Sequence, residues 1–314
     1  MELHIFTDPQ QGASYEDLLA TAVAAQQLGF DGFFRSDHYL PMGPVAVTPG
    51  PTDAWLSLAA LARETARIRL GTLVTAVTFR LPGPLAIAVA QVDRMSGGRV
   101  DFGFGAGGYP AEHLAYGIPF PAPPERFDQF EEQLAIITGL WRTPDGETFS
   151  YRGRHYELIG CPGLAQPTRR PRPHPPIIIG GRGPSRTPSL AARYAAEFNC
   201  AFPDLAQIRR YREGLVAACV QTGRDPFSLA MSALVVLACG PGDARVRELT
   251  QVPGFHTAGM IQRGLVGTPA QVTHRIGEFA EAGISRLYLA TPRQFDIEQL
   301  AYVADQVMPQ VAGR

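Results

Sequence analysis

The feature of this sequence that most restricts its fold is a regular alternation of short apolar runs with longer helical patterns. The apolar runs are rich in β-branched residues, as in buried strands, whereas the segments between them carry apolar residues at helical spacing. Parallel strands joined by helical crossovers produce this order, and eight of them predict one closed (β/α)8 barrel, the TIM-barrel fold. The runs are "LHIFTD", "DGFFRSD", "RIRLGTLVT", "RVDFGFG", "PIIIGG", "EFNCAF", "LAMSALVVLAC" and "ISRLYLAT".

Signals at the ends of the helical segments agree with this interpretation. Ser14, with Asp17 three positions later, predicts the start of the first crossover helix, and Gly29 stands where that helix should end. Thr268 and Gln271 form a capping-box pattern before the last strand. Because the alternation runs through the whole chain, we predict that residues 1–314 form a single domain.

Two segments interrupt the alternation. Residues 142–176 form an insertion with the proline- and arginine-rich stretch "QPTRRPRPHPP", which could be a lid, a binding loop or a solvated excursion. We expect such loop insertions at the C-terminal face of the barrel. Residues 244–267 are predicted to be irregular, as a second mobile loop, and no clear helix is predicted between the glycines near residue 105 and Glu125.

The net charge, the first residues and the lengths of the apolar runs restrict the kinds of partner that we expect. With 28 basic and 29 acidic residues the net charge is -1, which gives no broad electrostatic surface for nucleic acid or an anionic membrane. The first residues lack a signal-peptide pattern, and no apolar run is long enough to span a membrane. We therefore expect a cytoplasmic protein whose partner is a small molecule or a peptide.

The absence of several motifs disfavours disulfide, metal and hydrolase sites. The four cysteines are far apart in the sequence, which favours reduced thiols over disulfides or a zinc site, and no metal is predicted. The sequence has no HExxH, no Walker loop and no GxSxG elbow. These absences disfavour zinc, nucleoside-triphosphate and serine hydrolysis.

In a closed barrel the functional site forms where the carboxyl ends of the strands enter their loops, and Asp37 and His38 lie at such an end. Neighbours on an extended strand point to opposite faces, so the two side chains should have different roles. His38 could exchange a proton near neutral pH, and Asp37 could hold a donor edge of a ligand. The alternative is structural: Asp37 caps a loop and His38 is a satisfied polar residue.

A first glycine-rich turn follows the fourth strand. Gly103, Gly105 and Gly108 have GxGxxG spacing, but a Rossmann fingerprint would follow the first strand of a βαβ unit and open a helix directly. The glycines could still form an amide cradle for a phosphate or permit a planar ring to approach the backbone. A tight barrel turn is the structural alternative.

A second glycine-rich turn follows the fifth strand. Gly180, Gly181 and Gly183 surround Arg182, and a helix starts soon afterwards. Backbone amides, a helix N-terminus and a guanidinium group together favour an anion site. On the third strand, Thr75 precedes Arg80, and composition alone indicates a buried strand that leads into a helix.

The blocks "FFRSDHYLP", "RIRLGTLVTAVTFRLPGPLAIAVAQVDRMSGGRVDFGFGAGG", "PPIIIGGRG" and "LVGTPAQVTHRIGEFAEAGISRLYL" resemble the luciferase-like flavin and deazaflavin oxidoreductases. The resemblance spans almost the whole chain. Within that superfamily the chain is most similar to the branch that uses coenzyme F420, a 5-deazaflavin with a phosphorylated tail.

The resemblance implies a set of site residues. Asp37 would contact the deazaflavin ring, and His38 would be the catalytic residue near its reactive face. A non-proline cis peptide at Leu73–Val74 would back the ring, with Thr75 beside it. The tail phosphate and nearby polar groups would be received by two turns, formed by Gly105, Ala106, Gly107 and Gly108 and by Gly180, Gly181, Arg182 and Gly183.

The resemblance also implies an activity. We expect a reductase that transfers a hydride from reduced F420 to an activated C=C or C=N bond of a small molecule or modified peptide. F420-dependent sugar-phosphate dehydrogenases carry a glutamate acid where this chain has Gly108, which disfavours sugar-phosphate oxidation and leaves His38, Tyr39, Tyr109 or water as proton donors. The alternatives are an FMN-dependent luciferase-like monooxygenase and a catalytically silent cofactor-binding barrel. Paired barrels are common in the family, so a homodimer is expected.

Overall fold

Strands and helices alternate along the chain in the computed structural model, which describes residues 1–43, 48–164, 174–181, 183, 185–251 and 257–311. The strands are β1 (Glu2–Thr7), β2 (Gly32–Arg35), β3 (Arg69–Ala76), β4 (Val100–Gly105), β5 (Thr148–Arg152), β6 (Glu157–Pro162), β7 (Ile177–Gly180), β8 (Glu197–Ala201), β9 (Ala230–Cys239), β10 (Leu265–Gly267) and β11 (Arg286–Ala290). The helices are α1 (Tyr15–Gln27), α2 (Ala54–Glu64), α3 (Pro82–Ser96), α4 (Pro110–Tyr116), α5 (Pro123–Arg142), α6 (Arg186–Tyr194), α7 (Leu205–Gln221), α8 (Asp243–Thr250), α9 (Ala258–Arg263), α10 (Pro269–Glu281), α11 (Ile297–Gln306) and α12 (Met308–Val311).

Eight parallel strands close into a barrel. Their order is β1, β2, β3, β4, β7, β8, β9 and β11, and the pairing of β11 with β1 completes the ring. The short strand β10 adds to the far end of β9, and β5 and β6 form a separate antiparallel hairpin. The predicted (β/α)8 barrel is therefore confirmed.

The predicted helix starts are confirmed in atomic detail. The Ser14 hydroxyl accepts the Asp17 backbone N–H at 3.1 Å, and the Asp17 carboxylate accepts the Ser14 N–H at 2.9 Å. At the start of α10 the Gln271 side-chain oxygen accepts the Thr268 backbone N–H at 2.8 Å. Such caps satisfy backbone donors that the first helical turn leaves without partners.

Apolar side chains fill the barrel interior, and a polar cluster closes its N-terminal end. Phe34, Ile178 and Val236 are buried in its interior, and burial of each such side chain is worth roughly 1.5–3 kcal/mol. At the N-terminal end, Glu197 accepts hydrogen bonds from the Tyr288 hydroxyl at 2.8 Å and from Arg286 at 2.6 Å. These groups close the floor of the barrel, so open space is left at the C-terminal mouth.

The described part of the insertion packs on the outer ring of helices. The Glu132 carboxylate of α5 accepts backbone N–H groups of residues 154–156 at the tip of the β5–β6 hairpin. The Phe149 ring lies so close to Gly139 that a Cβ there would fall 2.3 Å from it. Residues 142–164 therefore cover α5. The insertion joins the end of α5 to the start of β7, so it is attached at the N-terminal end of the barrel and not at the expected C-terminal face. Residues 165–173 are outside the described residues.

Two predictions of irregular structure are wrong. Helix α4 begins at Pro110, directly after the first glycine turn, where no helix was predicted before Glu125. Helices α8 and α9 and strand β10 lie within residues 244–267, while residues 252–256 are outside the described part of the chain. Each of these elements is too short to show a clear apolar period, which explains why the pattern missed them.

The structure also bears on the state of the cysteines and on membrane-spanning helices. All four cysteines are free thiols, and Cys200, Cys219 and Cys239 are buried. Among the described helices, none combines the length and apolar character that crossing a bilayer requires.

Candidate active site

A cavity of about 600 Å³ opens at the C-terminal ends of the barrel strands. Its wall is formed by the ends of six strands, by the loop after β2 and by residues of α4, α5 and α9. Most of the predicted site residues lie in this wall. They are His38, Leu73, Val74, Gly105, Ala106, Gly107, Gly108, Gly180, Gly181 and Gly183.

The structure does not bring Asp37 or Thr75 to the cavity wall. The Asp37 carboxylate is buried and bound by both Nη atoms of Arg80, at 2.5 and 3.1 Å. The Thr75 hydroxyl is buried and accepts a hydrogen bond from Trp55 Nε1 at 3.2 Å. Arg182 lies outside the described residues.

The opposite orientation of Asp37 and His38 agrees with the prediction from strand geometry. His38 faces the cavity, while Asp37 faces the helices behind it. Arg35, the last residue of β2, is fully buried and donates to Ser57 Oγ at 2.8 Å and to the Thr52 carbonyl at 2.9 Å. Burial lowers the pKa of Arg35 to about 10, against the raising effect of nearby carboxylates. The loop that carries His38 is thus fixed to α2 by charged hydrogen bonds.

Arg80 links this loop to the start of α2. Its guanidinium contacts Asp37 and Asp53, and it donates to the Tyr39 hydroxyl at 3.0 Å. Burial alone would lower the pKa of Arg80, but the two carboxylates raise it above its usual value. Burial and the charge of Asp37 raise the pKa of Tyr39. Tyr39 is therefore a neutral member of this cluster, and its side chain does not line the cavity.

His38 is held by a residue that the sequence analysis missed. Glu112 on α4 is 1% exposed, and its Oε1 lies 2.9 Å from His38 Nδ1. Its other oxygen accepts the Tyr39 backbone N–H at 3.0 Å. An ionised carboxylate only accepts hydrogen bonds, so Nδ1 of His38 carries a proton. The signal that could have found Glu112 is an acidic residue in the first turn of a helix that opens with Pro110.

The surroundings of His38 favour its charged form. Burial lowers the pKa of this imidazole, but the hydrogen bond that His38 donates to Glu112 and the charges of Glu112, Asp8 and Asp37 outweigh burial and raise the pKa above 6.5. Tyr109 stands beside the ring at a centroid distance of 6.0 Å, and its hydroxyl donates to the Pro41 carbonyl at 3.0 Å. An imidazolium at the cavity wall can donate a proton to a bound molecule.

The predicted cis peptide at Leu73–Val74 is confirmed. The pairing of β3 with β4 shifts register between Thr72 and Thr75, which turns the Val74 side chain toward the neighbouring strands. A Cβ on Gly105 would lie 2.9 Å from Val74 Cγ2, and a Cβ on Gly180 would lie 3.3 Å from Cγ1. These two glycines therefore make room for Val74 as well as forming turns.

The rim between the two glycine turns suits an anionic group. The Arg126 guanidinium lines the cavity and donates to the carbonyls of Ala106 at 3.1 Å and Pro121 at 2.6 Å. Gly107 has a φ of 76°, a conformation that favours glycine. Thr187 Oγ1 is buried without a hydrogen-bond partner among the described residues, directly beside Gly183. An unpaired buried hydroxyl, a cation and an open turn fit a phosphate. No group of three or more candidate metal ligands occurs in the described ranges.

Comparison with known proteins gives consistent matches. A family model for luciferase-like monooxygenases matches residues 1–260. The F420-dependent glucose-6-phosphate dehydrogenase of Beutenbergia cavernae is 29% identical over 328 residues, covering 95% of this chain and 94% of that protein. The enzyme of the same name from Microbacterium testaceum is 38% identical over 181 residues, covering 57% of this chain and 50% of that protein, so this match spans half the length of the relative.

The fold also matches solved structures. An F420-dependent secondary alcohol dehydrogenase, solved in complex with an F420-acetone adduct, superposes with a TM-score of 0.84 and covers 99% of this chain and 98% of that chain. The sequence identity is 20%, so this likeness concerns the fold alone.

Replacing Glu112 by glutamine should lower the pKa of His38, because the substitution removes the negative charge that stabilises the imidazolium. An NMR titration of the His38 ring resonances measures the change. Glu132→Gln is the matched control, since Glu132 binds backbone N–H groups of the hairpin away from the cavity. An unchanged His38 titration in Glu112→Gln would refute the role assigned to Glu112.

Substitution of Gly105 by alanine should destabilise the fold by about 1–3 kcal/mol, because the added methyl group overpacks against Val74. Gly108→Ala is the control: a Cβ there has no neighbour within 4 Å, and we expect a change within about 0.5 kcal/mol. Urea unfolding of the two variants measures the difference. Equal stabilities would contradict the packing role of Gly105.

Proposed function

The chain belongs to the luciferase-like monooxygenase family, and from this premise we propose that it is an F420-dependent reductase acting on an activated C=C or C=N bond of a small molecule or modified peptide. The observation that carries the proposal is the combination found in one cavity. The backbone at Leu73–Val74 and the imidazole of His38 lie in the same cavity wall, and Nδ1 of His38 is hydrogen-bonded to Glu112.

F420-dependent relatives support F420 as the cofactor. Residues at the rim fit its phosphorylated tail: Arg126 supplies positive charge, and Gly108 leaves open backbone, since a Cβ there would meet nothing within 4 Å. Thr187, beside Gly183, has a hydroxyl without a partner among the described residues. When bound, reduced F420 supplies a hydride from its deazaflavin ring. The acceptor gains that hydride at one carbon and a proton at the neighbouring atom, so two electrons and two hydrogens are added.

The protein's own contribution is orientation and proton donation. The cavity walls place the acceptor and exclude water, and ideal juxtaposition of reactants can lower a barrier by on the order of 7–11 kcal/mol. The imidazolium of His38 donates the proton, and Glu112 fixes the ring and stabilises its charge. Asp37 and Thr75 support the wall from behind in this scheme, since neither side chain lines the cavity.

The assembly we propose is a homodimer. Leu56 on α2 is 75% exposed and Ile87 on the adjacent helix α3 is 51% exposed, and these apolar side chains are available for the contact between copies. An FMN-dependent monooxygenase is the second candidate function, because the family model that matches the chain describes monooxygenases. A catalytically silent barrel would bind the cofactor without turnover.

Cofactor identity and tail recognition can be tested together by fluorescence titration. We expect F420 to bind more tightly than FMN, and Thr187→Val to weaken F420 binding about tenfold, as for loss of one hydrogen bond to a charged group. Binding of the deazaflavin riboside that lacks the phosphate should not change in this variant. Thr273→Val, which removes another buried hydroxyl without a partner among the described residues, is the control. Micromolar FMN binding with no F420 binding would overturn the cofactor assignment.

Replacing His38 by alanine should slow single-turnover reduction about 10²–10⁴-fold while F420 affinity stays within a few fold, because the side chain supplies the proton and not the binding surface. The raised pKa of His38 means that wild-type kcat/KM persists above pH 6.5 and falls as pH rises through that pKa. The alanine variant should lack this fall. His274→Ala, at an exposed position of α10, is the control. Unchanged turnover in His38→Ala would remove His38 from the mechanism.

A further inference from the structure

The wall of the cavity divides into two chemically different parts. The part formed by β3, β4 and β7 carries the cis segment and the glycine turns. The opposite part, here called the substrate half, comes from the ends of β1, β8 and β9 and from α9. It consists of Phe6, Asp8, Asn199, Phe202, Leu234 and Met260.

Apart from Asp8 and Asn199 the substrate half is apolar, and no arginine or lysine is among its described residues. Phe6, Phe202 and Leu234 are each less than a tenth exposed, so their surfaces face the cavity and one another. Among the described wall residues the only arginine is Arg126, which is bound to two carbonyls at the other side. The imidazolium of His38 is already paired with Glu112, so a phosphate or carboxylate placed in the substrate half would lose its hydration without gaining an unpaired cation.

Phe202 is held in an unusual backbone conformation at this wall. Its φ is 49°, in the left-handed region that residues other than glycine rarely adopt. The Phe202 N–H donates to the Leu234 carbonyl at 2.8 Å, which ties the end of β8 to β9. Such conformations cost of order 1–3 kcal/mol and persist where the surroundings enforce them, often at ligand sites.

One carboxylate in this apolar wall is held in a fixed orientation. Asp8 is 8% exposed, and its Oδ1 accepts a hydrogen bond from Gln10 Nε2 at 3.0 Å. Gln10 in turn accepts the Ser36 hydroxyl at 2.6 Å, and the Asp8 backbone N–H donates to Gln294 at 3.1 Å. None of the described residues donates to the second oxygen, Oδ2. Because Asp8 lines the cavity, this oxygen can accept a hydrogen bond from a bound molecule.

We propose that the substrate half binds an uncharged, mainly apolar acceptor molecule that donates one hydroxyl or N–H group to Asp8. Asp8 is then a specificity-determining residue of the reductase, and the inference rests on the proposed function for the statement that this molecule is the one reduced. Anionic acceptors, including phosphorylated sugars, are disfavoured by repulsion from Asp8 and by the absence of arginine and lysine from the described residues of this half.

The test compares three ring molecules that differ in one group. They are 2-cyclohexen-1-ones that carry a hydroxyl, a methoxyl or a carboxylate at ring carbon 4. Dissociation constants are measured by NMR on protein loaded with oxidised F420, a dead-end complex in which no turnover occurs. We expect the hydroxyl compound to bind about tenfold more tightly than the methyl ether, as for one hydrogen bond to a charged acceptor, and the carboxylate to bind most weakly.

Two variants test whether Asp8 causes the preference for the hydroxyl compound. Asp8→Leu should abolish the preference for the hydroxyl over the methoxyl group and reduce the penalty on the carboxylate. Asp305→Asn, at an exposed position of α11, should leave all three constants unchanged. Equal binding of hydroxyl and methoxyl compounds to the wild-type protein, or tightest binding of the carboxylate, would overturn the proposal without any variant.

Failure of the proposed function gives a different result. F420 loading is measured first by fluorescence, and absence of loading contradicts the cofactor assignment. The same three molecules are then titrated into the cofactor-free protein. A retained hydroxyl preference that Asp8→Leu removes would support the Asp8 site even in that case, whereas its absence would refute the site itself.

Discussion

Closure of the parallel sheet is the constraint on which the rest of this structure depends. Because β11 pairs with β1 and every barrel strand runs in the same direction, all eight carboxyl ends lie on one face. The other end is filled by the Glu197, Arg286 and Tyr288 cluster, which leaves the C-terminal mouth as the place where a ligand can enter the barrel. Residues as distant in sequence as Asp8 and Met260 thus share one cavity without any specific contact having to draw them together.

At the barrel mouth, side-chain packing and ligand access both favour residues without a side chain. Val74 turns toward β4 and β7 at the register shift, where a Cβ would overlap it at Gly105 and crowd it at Gly180. The same absence of side chains exposes backbone at the cavity rim. Gly108 differs because a Cβ there would meet nothing, so packing does not explain why that position is open. Structural and binding explanations of a glycine-rich turn are therefore not exclusive, and they apply to different positions of one turn.

The sequence correctly predicts features whose signals lie within a few neighbouring residues. The eight strands, the Ser14 and Thr268 caps and the opposite orientation of Asp37 and His38 follow from periodicity, capping and strand geometry. The cis bond at Leu73–Val74 came from resemblance, since nothing in its composition indicates it. Glu112 was missed because its partner, His38, lies 74 positions away and only the fold brings them together. The bond between Asp37 and Arg80, 43 positions apart, could not be inferred from spacing either.

The carboxylates around His38 connect catalysis with substrate choice. Glu112 and Asp8 both raise the pKa of the imidazole, so both favour the form that can donate a proton. The same negative charges make the neighbouring cavity unfavourable for an anionic molecule, because like charges repel most strongly where water is excluded. A site that keeps its acid charged with buried carboxylates therefore selects against acceptors that carry a negative charge. A change that admitted a phosphate by removing Asp8 would also lower the pKa of His38, so specificity and proton donation cannot be altered independently at this position.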